Sequence, residues 1–446
     1  MTNFLTRLRV DLHHKLMKIR IRQIFLVALM AISFHARAST QDEGLRTHVG
    51  RVDLGLQVGG DEIFWIPGDK NLIPAIAKNA NVMLIGNNLK WAAPGVRTLR
   101  PAKEIFDFSD ADALLQLAQT NGLKIRAHTL VWGDALPTWL TSQEWTREQL
   151  SEILRDHIKT VVGRYRGKIA VWDVVNEAFQ WNGAYQENFW FRKLGPEYIE
   201  MAFRWAHEAD PDALLFLNED GTEGLGQGSD KFLELVQNLL SKGVPIHGIG
   251  LQTHVDLSYK TTGGNDVASP QALAENITRL GKLGVQVHIS ELDVRIPLPP
   301  TLESLQSQAR VYADLYKACE GNSYCTGFFI WGVTDKWSWI PRAFPGEGAA
   351  MLLDENYAAK PAYTALLGAM RSTTEKCLGL IESTYPGLLR KPQPSAVLQD
   401  YYYRYYSESN NFVAVKGGKV FYWDPAAFPQ PQEVFSLAQC LSFVPK

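Results

Sequence analysis

The sequence predicts an α/β fold: a (β/α)8 TIM barrel followed by a small β-rich C-terminal extension. Three observations carry that prediction. From residue 50 to about residue 370, short apolar, β-branched runs alternate with longer segments of helical period, the pattern of a parallel sheet with crossover helices. Eight such runs fall within roughly 320 residues, which suits a barrel of about 250 residues enlarged by insertions. After Arg371 the alternation stops and turn residues take over. The alternation alone also admits a doubly wound open sheet.

The candidate strands are Leu54 to Val58, Val82 to Ile85, Lys124 to His128, Ile169 to Val175, Leu214 to Leu217, Gly248 to Leu251, Val285 to Ser290 and Gly327 to Trp331. Between them, Asp110 to Thr120, Arg147 to Tyr165, Glu197 to Ala209, Asp230 to Ser241 and Leu302 to Ala318 are amphipathic and long enough to be helices on the outside of a barrel. Tyr385-Pro386-Gly387 and Lys391-Pro392-Gln393-Pro394 mark turns, so a catalytic domain is expected over 39–371 and an extension over 372–446. The extension holds Tyr401 to Tyr406, Phe412 to Val415, a Gly417-Gly418 turn and Val420 to Trp423, which reads as a small β-hairpin unit. Its aromatics are expected to form its core, because so small a unit needs them for stability; polysaccharide binding is the alternative.

Composition narrows the partners. With 45 basic and 47 acidic residues in 446, the net charge is −2, and no Lys/Arg block after residue 40 forms a stripe for a polyanion, so nucleic acid is not an expected partner. The 13 Trp, 16 Tyr and 20 Phe supply flat apolar faces of the kind sugar rings stack on, although most aromatics fill cores. Lys18, Arg20 and Arg22 precede the apolar run Ile24 to Phe34, and Ala36-Arg37-Ala38 follows, so 1–38 reads as a signal peptide, with Met17 an alternative start. The apolar run is shorter than the about 20 residues a membrane span needs. A secreted or periplasmic monomer without a membrane span is therefore expected. Cys319 and Cys325 form a close pair and Cys377 and Cys440 a distant one, and two disulfides are expected of an exported chain. Asn276-Ile277-Thr278 matches a glycosylation acceptor pattern.

The chemistry concentrates where candidate strands end, the face on which barrel active sites are built. The fourth strand ends in Asn176-Glu177 and the seventh in Glu291-Leu292-Asp293. Two glutamates held directly on strand ends suit glycosidic bond cleavage, in which the departing oxygen needs a proton and the oxocarbenium-like carbon needs a negative charge or nucleophile beneath it. The residues alone do not say which glutamate does which. One carboxyl at a strand end is more often a salt bridge or cap; two in register favour catalysis.

Four strings occur in order: Arg126-Ala127-His128-Thr129-Leu130-Val131-Trp132, Trp172-Asp173-Val174-Val175-Asn176-Glu177-Ala178, Ile289-Ser290-Glu291-Leu292-Asp293 and Trp331-Gly332-Val333-Thr334-Asp335-Lys336-Trp337-Ser338-Trp339. From about residue 50 to 370 the chain resembles glycoside hydrolase family 10. The resemblance implies endo-1,4-β-xylanase activity on xylan by a retaining, two-glutamate double displacement, with Glu177 as acid/base and Glu291 as nucleophile. It also implies that Asn176, His254 and Asp293 orient or charge-balance the nucleophile, and that Asn87, Lys90, His128, Trp132, Gln252, Trp331 and Trp339 contact substrate. No cofactor or metal is implied. This sequence departs from the family's pattern at Gly86, where a Glu is common, at Ala135, where a Gln is common, and at Asp220, where an aromatic is common. Lost hydrogen-bond partners cost about 1 to 3 kcal/mol each where buried, so a decorated xylan or a short oligosaccharide is expected to suit the opened space. Rival readings are a cellulase-like or mannanase-like barrel, a metal-dependent hydrolase using His128, His254 and His288, and a non-catalytic polysaccharide binder.

Overall fold

Strands buried on both faces need aliphatic side chains throughout, and the chain supplies them in eight places. The structure is a computed structural model that describes residues 43–59, 68–262, 267–384, 389–398, 401–407, 409–425, 430–437 and 439. The strands are β1 (Asp53–Val58), β2 (Val82–Ile85), β3 (Lys124–Val131), β4 (Val171–Asn176), β5 (Leu214–Glu219), β6 (Gly248–Leu251), β7 (Gln286–Val294) and β8 (Cys325–Ile330). Each pairs in parallel with the next, and β8 returns to β1 through Asp53 opposite Gly327 and Leu56 opposite Ile330, so the sheet closes into a barrel. Outside it lie α1 (Leu72–Asn79), α2 (Ser109–Thr120), α3 (Arg147–Arg164), α4 (Glu197–Ala209), α5 (Gln227–Ser241), α6 (Pro270–Gly281), α7 (Leu302–Glu320) and α8 (Pro361–Thr384). Helix starts are set by local chemistry. Thr146 and Gln149 form a reciprocal capping box for α3, and Ser269 caps α6 just before Pro270.

The bore of the barrel is packed. Val82, Leu84 and Phe329 form a cluster with Trp331 against it, and Gly55 leaves room for the Phe329 ring, which would lie 2.1 Å from a Cβ at that position. Arg126 is fully buried between the Phe216 and Phe329 rings and donates to both carboxylate oxygens of Asp173, at 3.2 and 2.6 Å. Register shifts interrupt the β3–β4 and β4–β5 pairings in their later halves and the β7–β8 pairing near both ends. Bulges of this kind turn side chains that would otherwise point along the barrel wall.

Several strands run past their expected ends. Strand β7 continues to Val294 and β3 to Val131, so Glu291 and Asp293 lie inside the ladder rather than just beyond it. Polar residues read as strand ends in the sequence, but at a barrel mouth their backbones still have partners on both sides. The largest addition is α8, which runs through the boundary expected at 371/372. Its first half buries Leu366, Leu367 and Met370 in the barrel core, and its second half buries Cys377, Leu378 and Ile381 in a smaller core. That core is closed by five antiparallel strands, β9 (Ala396–Leu398), β10 (Tyr401–Tyr406), β11 (Asn411–Lys416), β12 (Lys419–Trp423) and β13 (Gln432–Ser436), a wider sheet than the expected hairpin.

The extension's aromatics divide by the two-residue period of a strand. Tyr402 and Tyr406 face α8, whereas Tyr401, Tyr403 and Tyr405 are half-buried among Phe412 and Phe421 on the other side. The expectation that they form the core therefore holds for alternate residues only. Cys319 and Cys325 are joined, linking the end of α7 to the start of β8. Cys377 is disulfide-bonded, while Cys440 and the expected signal peptide lie outside the described residues. Asn276 is 1% exposed and donates to the Thr222 carbonyl at 2.7 Å, so burial removes it as a glycan acceptor in the folded chain. No described helix is long and apolar enough to cross a membrane.

Because Leu378 is fully buried between α8 and the small sheet, Leu378→Ala is expected to lower unfolding free energy by about 2 to 5 kcal/mol. Urea denaturation measures it. A variant as stable as the parent would mean that the helix and sheet do not depend on this contact.

Candidate active site

Five strand ends, those of β3 to β7, converge on one group of side chains. Glu177 follows β4 directly, in a left-handed conformation with φ 54°, and its N–H donates to the Asn218 carbonyl on β5 at 3.0 Å. A non-glycine residue adopts that conformation only when its surroundings hold it there. Glu177 Oε2 accepts from the Trp132 indole at 2.8 Å, and Oε1 accepts from Asn176 at 3.1 Å and Gln252 at 3.0 Å. Glu291, 3% exposed, accepts from the Asn218 amide at 2.6 Å and meets His254 Nε2 at 3.3 Å.

The two glutamates are wired together. Asn218 Nδ2 donates to Glu291 and, at 2.7 Å, to Asn176 Oδ1, while Asn176 donates to Glu177. Asn176 thus touches Glu177 and reaches Glu291 through Asn218. His254 stands between two carboxylates, with Nδ1 2.9 Å from Asp293 Oδ2, and Asp293 Oδ2 also accepts from the Trp339 indole at 2.8 Å.

The electrostatics of the two halves differ. Burial alone would raise the Glu291 carboxyl, but neighbouring His128, the hydrogen bond and charge of His254, and the Asn218 amide outweigh it and hold the group at about 2. Burial would lower His254, yet Asp293 and Glu291 hold it well above the ordinary histidine range, so both its nitrogens carry protons to donate. Glu219 is pushed well above the carboxylate range, by burial first and then by the charge of Glu177. Its Oε2 accepts from the N–H groups of Ala178 and Phe179, the two residues after Glu177. Burial likewise lifts Asp220 to about 6, against the pull of His254, and Asp220 accepts from Thr262 at 2.9 Å.

The remaining expected contacts surround this pair. Lys90 donates to Asn87 at 3.1 Å and lies 4.6 Å from the centre of the Trp132 ring. Burial lowers the Lys90 ammonium, while the charges of Glu291 and Glu177 act the other way. His128 Nδ1 is 3.1 Å from Asp173 and 3.7 Å from Glu291, and its ring meets the edge of Trp331 at 5.1 Å. Trp331 and Trp339 both flank His254. Histidine 288 is engaged elsewhere, with Arg126 at 2.6 Å and Thr326 at 3.0 Å. Among the described residues no group of three or more His, Cys, Asp or Glu side chains has the arrangement of a metal site.

Three members of the network were not picked out from the sequence: Asn218, Glu219 and Asp173. Asn218-Glu219 directly follows the expected fifth strand, the same signal that marked Glu177 and Glu291. Asp173 lies within an apolar run, where nothing local distinguishes it.

Two carboxylates of unequal environment, presented on different strands of a closed barrel among indoles and amides suited to sugars, define the class of the barrel glycosidases. The match to known proteins is specific. Residues 66–369 match the model of glycosyl hydrolase family 10, and the chain belongs to that family. Endo-1,4-beta-xylanase B of Thermotoga neapolitana is 37% identical over 343 residues, covering 76% of this chain and 94% of the relative. An endo-1,4-beta-xylanase of Agaricus bisporus is 35% identical, covering 77% and 98%. The crystal structure of native xylanase 10B from Thermotoga maritima superimposes with a TM-score of 0.69 at 37% identity, over 74% of this chain and 98% of that one. The xylanase 10B of Thermotoga petrophila in complex with xylobiose gives 0.67 at 37%, over 72% and 94%.

Since His254 contributes both a hydrogen bond and a charge to Glu291, His254→Ala is expected to move protonation of that carboxyl upward from about 2. Removing a cation favours the neutral acid. The carboxyl band in infrared difference spectra, assigned with Glu291→Gln, reports the shift. An unmoved titration would mean that other groups hold the carboxylate ionised.

Proposed function

We propose that this protein is an exported, monomeric endo-1,4-β-xylanase that hydrolyses the β-1,4-xylosidic bonds of xylan with retention of configuration. The observation that carries the reading is Glu291: a buried carboxylate kept ionised by His254, Asn218 and His128, on the strand wall opposite a second glutamate. Ionised and desolvated, it is suited to attack an anomeric carbon.

In the first step Glu291 forms a bond to the anomeric carbon as the glycosidic C–O bond breaks, and Glu177 gives its proton to the departing oxygen. In the second, Glu177 takes a proton from water, the water oxygen attacks the same carbon, and the Glu291 carboxylate leaves. Amide bonds from Asn176 and Gln252 and the indole of Trp132 fix Glu177 in place for both transfers. His254, clamped by Asp293, offsets the charge of Glu291 between steps, with Asn218 joining it to Asn176. Asn87, Lys90, His128 and Trp132 would hold the glycone, with Gln252, Trp331 and Trp339 around the cleavage point.

The choice of xylan rests on the relatives that match along most of their length, each named as an endo-1,4-beta-xylanase. A hollow of about 460 Å³ beside Trp132 and Ala135, walled by Ala92 and Pro94, favours a decorated xylan or a short oligosaccharide over the bare linear polymer. Export to the periplasm or the medium is supported by the leader-like 1–38 and by the Cys319–Cys325 disulfide.

Glu177→Ala is expected to cut hydrolysis of glucuronoxylan by about 10²- to 10⁴-fold and to cut it far less on an aryl xylobioside, whose phenolate leaves without a proton. Glu291→Ala is expected to lose both activities by orders of magnitude. Either variant at near-parent rates on xylan would sink its assignment, and a parent that hydrolyses only cellulose or mannan would sink the xylan reading.

A further inference from the structure

The mouth of the barrel contains an amide that the mechanism does not use. Gln57 is on β1, opposite Leu84 of β2, and Leu84 lines the bore with Phe329. Gly55, two residues earlier on the same face, is packed by the Phe329 ring. Period-two alternation therefore directs Gln57 inward, one layer nearer the mouth. The pairing Leu56 to Ile330, carried one residue further, sets Trp331 beside it, and Gly86, two residues beyond its partner Leu84, comes close to the end of its side chain.

Gly86 and Gln57 share one space. A Cβ on Gly86 would lie 2.5 Å from Gln57 Nε2 and 3.3 Å from its amide carbon. With no side chain at 86, the Gln57 amide fills the position immediately before Asn87, whose own carbonyl accepts from Lys90. The other cleft amides are committed: Asn176, Asn218 and Gln252 all bond to the two catalytic glutamates or to each other. Gln57 is half-buried and, among the described residues, its amide makes no hydrogen bond. It therefore has two donors and an acceptor left for a ligand.

We infer that Gln57 is a substrate-positioning residue on the glycone side, where its amide hydrogen-bonds a hydroxyl of the sugar one unit beyond the residue attacked by Glu291. The inference rests on the proposed endo-xylanase reading and deepens it, because it gives the second glycone sugar a partner beside Asn87 and Lys90. A ligand hydroxyl displaces solvent from an amide already confined by the β-strand and by Gly86, so little side-chain freedom remains to be lost on binding.

Hydrolysis of 4-nitrophenyl β-xylobioside and 4-nitrophenyl β-xyloside by the full chain separates this role from a structural one, because only the first reaches past the reacting sugar. The quantity read is the ratio of their kcat/KM values, in which a partly unfolded fraction cancels. In Gln57→Ala the ratio is expected to fall about tenfold, the size of one hydrogen bond of roughly 1.4 kcal/mol, with most of the change in KM. Gly86→Ala, whose Cβ displaces the amide, is expected to lower the same ratio in the same direction. A ratio equal to the parent's in Gln57→Ala overturns the inference while leaving the endo-xylanase reading intact. A parent that cleaves neither glycoside nor xylan sinks that reading and the inference with it.

Discussion

A carboxylate taken out of water tends to pick up a proton, and whatever keeps Glu291 ionised at 3% exposure governs the rest of the site. The work is shared among His128, His254 and the Asn218 amide. His254 adds both charge and a hydrogen bond, but a buried imidazole is itself driven to lose its proton unless a second carboxylate faces it, and Asp293 does so at 2.9 Å. Asp293 in turn takes the Trp339 indole. Glu291 and His254 each hold their charge through the next group along, and such networks are rigid when complete and costly to leave partly filled.

The same logic extends below the mouth. Arg126 and Asp173 form a buried ion pair inside the bore, and Asp173 also meets His128, which lies 3.7 Å from Glu291. The floor of the cleft is thus a continuous polar column set in apolar walls, running from Arg126 through Asp173 and His128 to Glu291. The rings of Phe216 and Phe329 clamp the Arg126 guanidinium. Around Glu177 the arrangement is different: among the described residues it accepts from neutral donors, Trp132, Asn176 and Gln252, and the buried Glu219 and half-buried Asp220 at the β5 end lie near it. Two glutamates of identical chemistry are thereby given different surroundings.

The extension is bound to the barrel by a shared helix rather than a linker. Helix α8 starts in the barrel core and ends in the small one, and Arg404 of β10 pairs with Glu375 and, at 2.6 Å, with Glu382 on the half of α8 beyond Arg371. His48, near the start of the described chain, bonds Thr374 on α8 at 2.9 Å and meets the Tyr402 ring edge at 4.9 Å. The site lies at the opposite, C-terminal end of the barrel strands, so this joint supports the scaffold without entering the cleft.

Much of this was legible in the sequence because it is local. The strand and helix periods, the Asn176-Glu177 and Glu291-Leu292-Asp293 strand ends and the ordered strings through Trp339 all depend on neighbours in the chain, and they are enough to reach the barrel and the family and to set two glutamates at its mouth. Helix α8 is not among the helices expected from the sequence, because its two halves are buried against different partners, the barrel and a sheet that follows it, leaving no single apolar stripe to read. Asp173 gave no sign of its role, and Asn218, although it follows a strand, gave none of its partner, since such a residue becomes meaningful only when the closing barrel brings Arg126, His128 or Glu291 alongside it. Sequence alone thus determined which side chains stand at the mouth; only the tertiary structure decided which of them are charged and whom they touch, because protonation and hydrogen bonding depend on burial and on partners 40 to 70 or more residues away along the chain.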